Sequence, residues 1–232
     1  MLKIYQKFCL FYDKLYGGNF YSSYVFFIDK MIKKYRLKNP RILDIACGTA
    51  KLIEGLKKKY QNIEGIDASE EMLKIAQNKN KEVKFYHQSL PDFDTGKKYN
   101  VITCTFDSVN YLTKKKSLGL LFKKISQHLE PRDLFIFDFN TIYKRVKKIE
   151  TKGGCVFINN LKNNYWEAAI KMNVGGKIFT EKHKERFYSY KEIKSVLDGE
   201  GFKIAEVYSS LDKKINQPDR CQRLVIVARK IS

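Results

Sequence analysis

The chain has 232 residues and a formal net charge of +20, from 45 Lys and Arg against 25 Asp and Glu. That length suits one ordinary domain with a small insertion and a sizeable core, and 44% hydrophobic residues argue against wholesale disorder. No apolar run approaches the roughly 20 residues of a membrane-spanning helix, and the N-terminus, with Asp13 close behind its apolar residues and no small-residue cleavage site, reads poorly as a signal peptide.

Five cysteines, at 9, 47, 104, 155 and 221, form no CxxC or Cys/His pattern. Neither a disulfide framework nor a metal site is indicated, and a reducing cytoplasm fits best. Only eight of the basic residues are Arg. Readers of base edges favour Arg for bidentate contacts, so lysine spread along the whole chain reads first as solvated faces. A phosphate-bearing or polyanionic partner stays open.

Residues 1–38 read as helical, with Phe8, Phe11, Tyr12 and Leu15 on one face, Val25, Ile28, Ile32 and Tyr35 on another, and a break at Gly17-Gly18-Asn19. From residue 41 strands and helices alternate. Arg41–Ala46 is a strand, and Leu52, Ile53 and Leu56 mark a helix. Ile63–Asp67 is a second strand, and Ser69 caps a helix carrying Met72, Leu73 and Ala76. Val83–His87 and Asn100–Phe106 are the next strands. A helix with Leu118, Leu121, Ile125 and Leu129 precedes the strand Asp133–Asp138. Alternation with continuously apolar strands predicts a doubly wound, mostly parallel, seven-stranded α/β sheet. After residue 150 three segments, Cys155–Leu161, Tyr165–Met172 and Lys177–Tyr188, read as an antiparallel meander. A helix at Tyr190–Glu200 and strands at Phe202–Ser209 and Leu224–Ala228 close the chain. The expected organisation is a helical cap (1–38), a main domain (39–150 and 188–232) and a three-stranded insertion (151–187).

The segment Ile42-Leu-Asp-Ile-Ala-Cys-Gly-Thr-Ala50 ends a strand, turns at Gly48 and opens a helix. Such a loop, at the carboxyl end of a parallel sheet, is where these folds bind cofactors. The GxGxxG phosphate fingerprint is absent, which disfavours a pyrophosphate dinucleotide. Asp67 follows Gly48 by 19 residues, at the end of the second strand. A carboxylate there can accept both hydroxyls of a ribose, and Asp44 could hold an ammonium group. An adenosine-type ligand with an amine and no pyrophosphate meets that description, as S-adenosyl-L-methionine (SAM) does.

LDIACGTA is similar to motif I of the class I SAM-dependent methyltransferases, usually written LDxGCGTG. GIDASEEML (65–73) resembles their acidic second motif. YNVITCTFDSVNYL (99–112), HLEPRDLFIFDFN (128–140) and GFKIAEVY (201–208) resemble three later strand segments. YDKLYGGNFYSSY (12–24) resembles the helical cap of a bacterial subgroup that has the insertion and is similar to sugar N-methyltransferases. The resemblance implies that Asp44, Ala46, Cys47 and Gly48 line the methionine end of the cofactor. It implies that Asp67 binds the ribose, with Ala68 and Met72 near the adenine and Gln88, Ser89 and Leu90 beneath it. Thr105 and Phe106 would flank the cofactor, and Tyr12 and Tyr21 would close over it. Ala46 and Ala50 replace family glycines; alanine is tolerated there if the backbone keeps φ negative, but it narrows the loop. Ser89 stands where the family usually has Asp.

The ordinary alternatives are a turn or cap carboxylate for Asp67 and Asp44, core packing for Tyr12 and Tyr21, and a sheet anchor for Trp166. For His183, within Glu181-Lys-His-Lys-Glu-Arg186, the alternative is an exposed strand residue. No catalytic dyad stands out; His183 and Tyr111 are candidates, with Asn110 also facing the acceptor. The resemblance implies transfer of a methyl group to a nitrogen or oxygen of a small-molecule acceptor, leaving S-adenosyl-L-homocysteine. An RNA methyltransferase and a non-catalytic SAM-binding protein remain the alternatives, and monomer and dimer are both open. The basic excess lies in residues 1–38, with eight Lys and Arg, and 140–186, with eleven. It therefore points to an anionic or nucleotide-linked acceptor more than to nucleic acid.

Overall fold

Two helices lead the chain, α1 (Cys9–Tyr16) and α2 (Asn19–Lys34). The computed structural model describes residues 3–16 and 19–231, so the expected break at Gly17-Gly18 lies outside the described residues. α2 buries Tyr24, Phe27, Ile28, Met31 and Ile32, the three-and-four spacing of one helical face. That face meets β1 (Ile42–Ile45) and α3 (Lys51–Leu56). The helices approach so closely that a Cβ at Gly55 would lie 2.3 Å from Val25 Cγ2.

The chain then alternates through β2 (Ile63–Asp67), α4 (Glu70–Lys79), β3 (Lys84–His87), β4 (Tyr99–Cys104), α5 (Lys115–Gln127) and β5 (Leu129–Asn140). β6 (Ile149–Lys152), β7 (Cys155–Lys162), β8 (Tyr165–Val174) and β9 (Lys177–Arg186) form a separate sheet. α6 (Tyr190–Gly199), β10 (Phe202–Ser210), β11 (Lys213–Lys214) and β12 (Arg223–Lys230) complete the chain. The large sheet runs β11-β10-β12-β5-β4-β1-β2-β3. It is parallel from β3 to β5 and antiparallel beyond. The reversal of strand order between β1 and β4 places the loops after β1, β2 and β4 at one edge, where a crevice forms.

Two details differ from the sequence reading. The large sheet has eight strands, not seven, because Lys213–Lys214 pairs with β10; two residues are too few to show a period. The smaller sheet has four strands, not three. Its added strand, Ile149–Lys152, is exposed along its whole length and held by backbone pairing to β7, so it shows no buried alternation.

The small sheet and the N-terminal helix share one core. Phe8 and Leu15 pack on Cys155, Phe157, Ala168, Ile170 and Met172. In β9, Glu181, His183 and Glu185 point inward and Lys182 and Lys184 outward. His183 is therefore buried at 2% exposure, where the alternative reading put it in solvent. Much of the lysine excess pairs with acids: Lys33 and Lys59 with Asp29, and Lys34 and Lys214 with Glu206. No helix among the described residues is long and apolar enough to cross a membrane.

Candidate functional site

The loop between β1 and α3 turns through three left-handed residues, Ala46 (φ 55°), Gly48 (φ 54°) and Ala50 (φ 62°). The condition of negative φ at the two alanines is not met. Reversing from strand to helix in five residues requires left-handed backbone, which costs an L-residue roughly 1–2 kcal/mol. The surroundings hold it in place. Cys47 N–H donates to Ile66 O (2.9 Å), Ala50 N–H to Cys47 O (2.9 Å) and Thr49 Oγ1 to Asp13 Oδ1 on α1 (2.5 Å). Asp67 accepts from the N–H of Gly48 on Oδ2 and of Ser69 on Oδ1, both at 2.8 Å. One carboxylate thus ties the β1 loop to the start of α4. Burial pushes the Asp67 carboxyl up, and these N–H groups partly offset it.

Beside this loop lies a cleft of about 960 Å³. Of the sequence-predicted residues, Tyr12, Ala46, Gly48, Asp67, Ala68, Met72, Gln88, Leu90, Phe106 and Tyr111 line it. Tyr21 stands behind them, its ring 4.5 Å from that of Phe106 and its hydroxyl bonded to Tyr12. Asp44, Cys47, Ser89 and Thr105 are not on the wall. Asp44 is buried under the loop, accepts from Thr103 Oγ1 (2.6 Å), and is pushed up by burial to about 7. Cys47 and Thr105 are buried and Ser89 is exposed. The Gln88 amide is committed to the Asp94 backbone.

A second cavity, of about 280 Å³, adjoins the cleft; Tyr5, Tyr12, Phe106 and Tyr111 line both. Phe106 (φ 60°) and Asp107 (φ 52°) are consecutive left-handed residues at this junction. The fully buried Asp138, at the end of β5, fastens them by accepting from Phe106 N (2.7 Å) and Asp107 N (3.2 Å). Arg223 of β12 donates through Nε to Asp138 (2.5 Å) and through its guanidinium to Asp107 (3.1 Å). Sequence reasoning missed Tyr5, Asp107, Asp138, Glu181, Glu185 and Arg223. Strand alternation through Glu181-Lys-His-Lys-Glu-Arg186 was the available signal for the two glutamates; nothing local marks the others.

Glu181 fastens the N-terminal segment. Its carboxylate accepts the N–H groups of Tyr5 (2.7 Å), Lys7 (2.6 Å) and Phe8 (2.9 Å) and contacts His183 Nε2 (3.3 Å). An ionised carboxylate only accepts, so His183 Nε2 donates. His183 Nδ1 is hydrogen-bonded to the Tyr111 hydroxyl (2.9 Å), which is hydrogen-bonded in turn to that of Tyr5 (2.8 Å). Burial pushes Glu181 up, but the bonds from His183 and the three backbone groups together hold it below the usual carboxylate range. A depressed carboxylate stabilises the fold above its unfolded value, about 4.3, and loses that contribution as pH falls through the folded one. Glu181→Gln is expected to cost roughly 2–3 kcal/mol at pH 7, since bonds to a charged acceptor contribute about 1.5–3 kcal/mol each. Melting curves at pH 7 and pH 3.5 check this: the difference between wild type and variant should shrink in acid.

Strand-ending loops, a strained turn and an acidic residue on a nucleoside-sized cleft define an α/β protein that binds an adenosine-type cofactor at its switch point. Residues 42–132 match the model of a methyltransferase domain. The chain is 31% identical over 221 residues to an uncharacterized protein of Methanocaldococcus jannaschii, covering 91% of this chain and 82% of that one. It is 27% identical to a dTDP-3-amino-3,4,6-trideoxy-alpha-D-glucopyranose N,N-dimethyltransferase of Streptomyces venezuelae, over 55% of this chain and 54% of that one. The crystal structure of an S-adenosylmethionine-dependent methyltransferase from Clostridium acetobutylicum superposes with a TM-score of 0.85 at 26% identity, covering 99% of this chain and 100% of that chain. Alignments with three curated relatives span 59%, 42% and 57% of those proteins' lengths. Residues 42–132 therefore carry a methyltransferase domain, and the chain has the fold of the SAM-dependent methyltransferases, whose cofactor is S-adenosyl-L-methionine.

The residues present fit that cofactor. The cleft carries a carboxylate for ribose hydroxyls, apolar side chains at Ala68, Met72 and Leu90 for a purine face, and a backbone loop at Ala46–Gly48 for the amino-acid end.

Proposed function

We propose that the protein transfers a methyl group to a nitrogen or oxygen of a small-molecule acceptor, anionic or nucleotide-linked. The observation that carries this is the junction of two cavities at one aromatic wall, the larger bearing Asp67 and the smaller about 280 Å³. That smaller volume suits one substituted ring and favours a small molecule over a polymer. When bound, SAM supplies an activated methyl group on a sulfonium. The protein's task is then to align the acceptor and exclude water.

In this reading Asp67 accepts the ribose hydroxyls, Ala46 and Gly48 hold the methionine end, and Ala68, Met72 and Leu90 pack on the adenine. Tyr12, with Tyr21 and Phe106 behind and beside it, forms the wall towards the acceptor. Tyr111 faces both cavities, and His183 positions it. Lys144 and Lys152 at the smaller cavity suit an anionic substituent. The dTDP-linked amino sugar in the relative's name is an acceptor of this type. The helical cap and the small sheet, sharing a core, roof the acceptor. A cytoplasmic location accords with five unpaired cysteines.

Calorimetric titration with SAM and S-adenosyl-L-homocysteine, followed by radiolabelled methyl transfer to dTDP-linked amino sugars and to simple sugar phosphates, tests the reading. Saturable binding of both nucleosides with transfer to an acceptor of this class is expected. Absence of binding would end it.

A further inference from the structure

The smaller cavity contains two buried acceptor atoms with no donor. Glu185 is 3% exposed and Asn140 is 4% exposed, and both line the cavity. Glu185 Oε2 and Asn140 Oδ1 have no hydrogen-bond partner among the described residues. The orientation of Asn140 is fixed: its Nδ2 donates to Asp107 Oδ2 at 2.6 Å, and a carboxylate cannot donate in return. Its carbonyl oxygen therefore remains an acceptor. An orphaned buried polar atom costs free energy, and two in one cavity call for a ligand that brings several N–H or O–H donors.

The rest of the wall selects among donors. Asp107 and Glu150, also on the cavity, add two more carboxylates, of which Asp107 is paired with Arg223 (3.1 Å), and Tyr5, Tyr12, Tyr16 and Trp166 present aromatic rings. Carboxylates and aromatic faces together attract a cation. Lys144 and Lys152 also line the cavity and suit an anionic substituent of the same ligand. Burial first, and then repulsion from Asp107, push the Glu185 carboxyl above the usual range.

We propose that Glu185 and Asn140 form the recognition site for a primary amine of the acceptor, with Glu185 taking a proton from it. This rests on the methyltransferase reading, and it assigns nitrogen as the accepting atom. An alkylammonium entering the cavity donates N–H groups to Glu185 Oε2 and Asn140 Oδ1. One N–H bond then breaks, the proton forms an O–H bond on Glu185, and the electron pair stays on nitrogen. Charge balances, since an ammonium and a carboxylate become a neutral amine and a neutral carboxyl. The freed lone pair is what a nucleophile needs, and an ordinary carboxylate would be too weak a base to liberate it.

Trp166 is the single tryptophan of the chain, lines this cavity, and stands directly opposite Glu185 across β8 and β9. Its emission therefore reports occupancy without any turnover. Glucosamine and glucose, which differ by an amine at one carbon, are titrated into the full chain saturated with S-adenosyl-L-homocysteine. Wild type should show a saturable change with glucosamine at an affinity at least about tenfold above glucose. E185Q should lose that preference, as should E185A, while both keep wild-type affinity for S-adenosyl-L-homocysteine by calorimetry. A failure of glucosamine to bind, equal affinities in wild type, or an undiminished preference in the variants would each overturn the assignment. Continued nucleoside binding in that event leaves the methyltransferase reading standing, whereas its loss in wild type would strike that reading itself.

Discussion

An Asp67→Ala variant is expected to bind SAM at least about 100-fold more weakly than wild type. The carboxylate organises the site before any ligand arrives, since its two oxygens accept from Gly48 and Ser69 at 2.8 Å. It also lines the cleft where ribose hydroxyls would be received. Bonds to a charged acceptor contribute about 1.5–3 kcal/mol each, so losing a pair of them costs about 3–6 kcal/mol, and every 1.4 kcal/mol is tenfold in affinity. Asp67→Asn, which keeps one acceptor oxygen, should fall between. Calorimetry and thermal melting on the same samples separate ligand binding from turn stabilisation. A carboxylate that only secured the turn would lower the melting temperature of Asp67→Ala while changing affinity less than tenfold.

The second large effect concerns Asp138. Asp138→Ala is expected to destabilise the protein by about 3–5 kcal/mol, the usual cost of breaking a buried ion pair by removing one partner. The carboxylate is fully buried, and its removal leaves Arg223 with Asp107 alone. It also frees the N–H groups of Phe106 and Asp107, the two left-handed residues between the cavities. Against a total stability of about 5–15 kcal/mol this is a large fraction, and for a chain of this size it lowers the melting temperature by roughly 6–20 °C. A shift under about 2 °C in a thermal melt would show that the pair bears no such load. Arg223→Leu should cost less than Asp138→Ala when measured alongside it, because the backbone N–H bonds to Asp138 survive.

The parallel half of the large sheet was legible because its strands are apolar on both faces. Ile42–Ile45 is buried at every residue, and such a run reads as a strand between two layers of helices. The cofactor cleft was legible for a related reason: a loop that ends one strand and a carboxylate that ends the next lie on neighbouring parallel strands, so sequence spacing converts directly into proximity. Ser69 could be read as a cap because capping is local; its hydroxyl accepts from Met72 N at 3.3 Å. The backbone sign at Ala46 and Ala50 was not legible, because residue type argued against it and only the geometry of the turn imposed it.

The acceptor side was illegible because its parts come from distant segments. Tyr5, Asp107, Asn140, Glu185 and Arg223 meet only after β5 pairs with β12 and the small sheet packs on α1. A period of two along β9 shows that Glu181, His183 and Glu185 share a face, but not which face is covered. The covering element, α1, lies more than 160 residues earlier in the chain. By itself, therefore, the sequence determined the α/β sheet and the nucleoside end of the site, where contacts are local or between adjacent strands. Tertiary packing alone decided the acceptor cavity: burial made Glu181 a fastening and left one oxygen of Glu185 without a donor, since a carboxylate's proton affinity depends on what surrounds it.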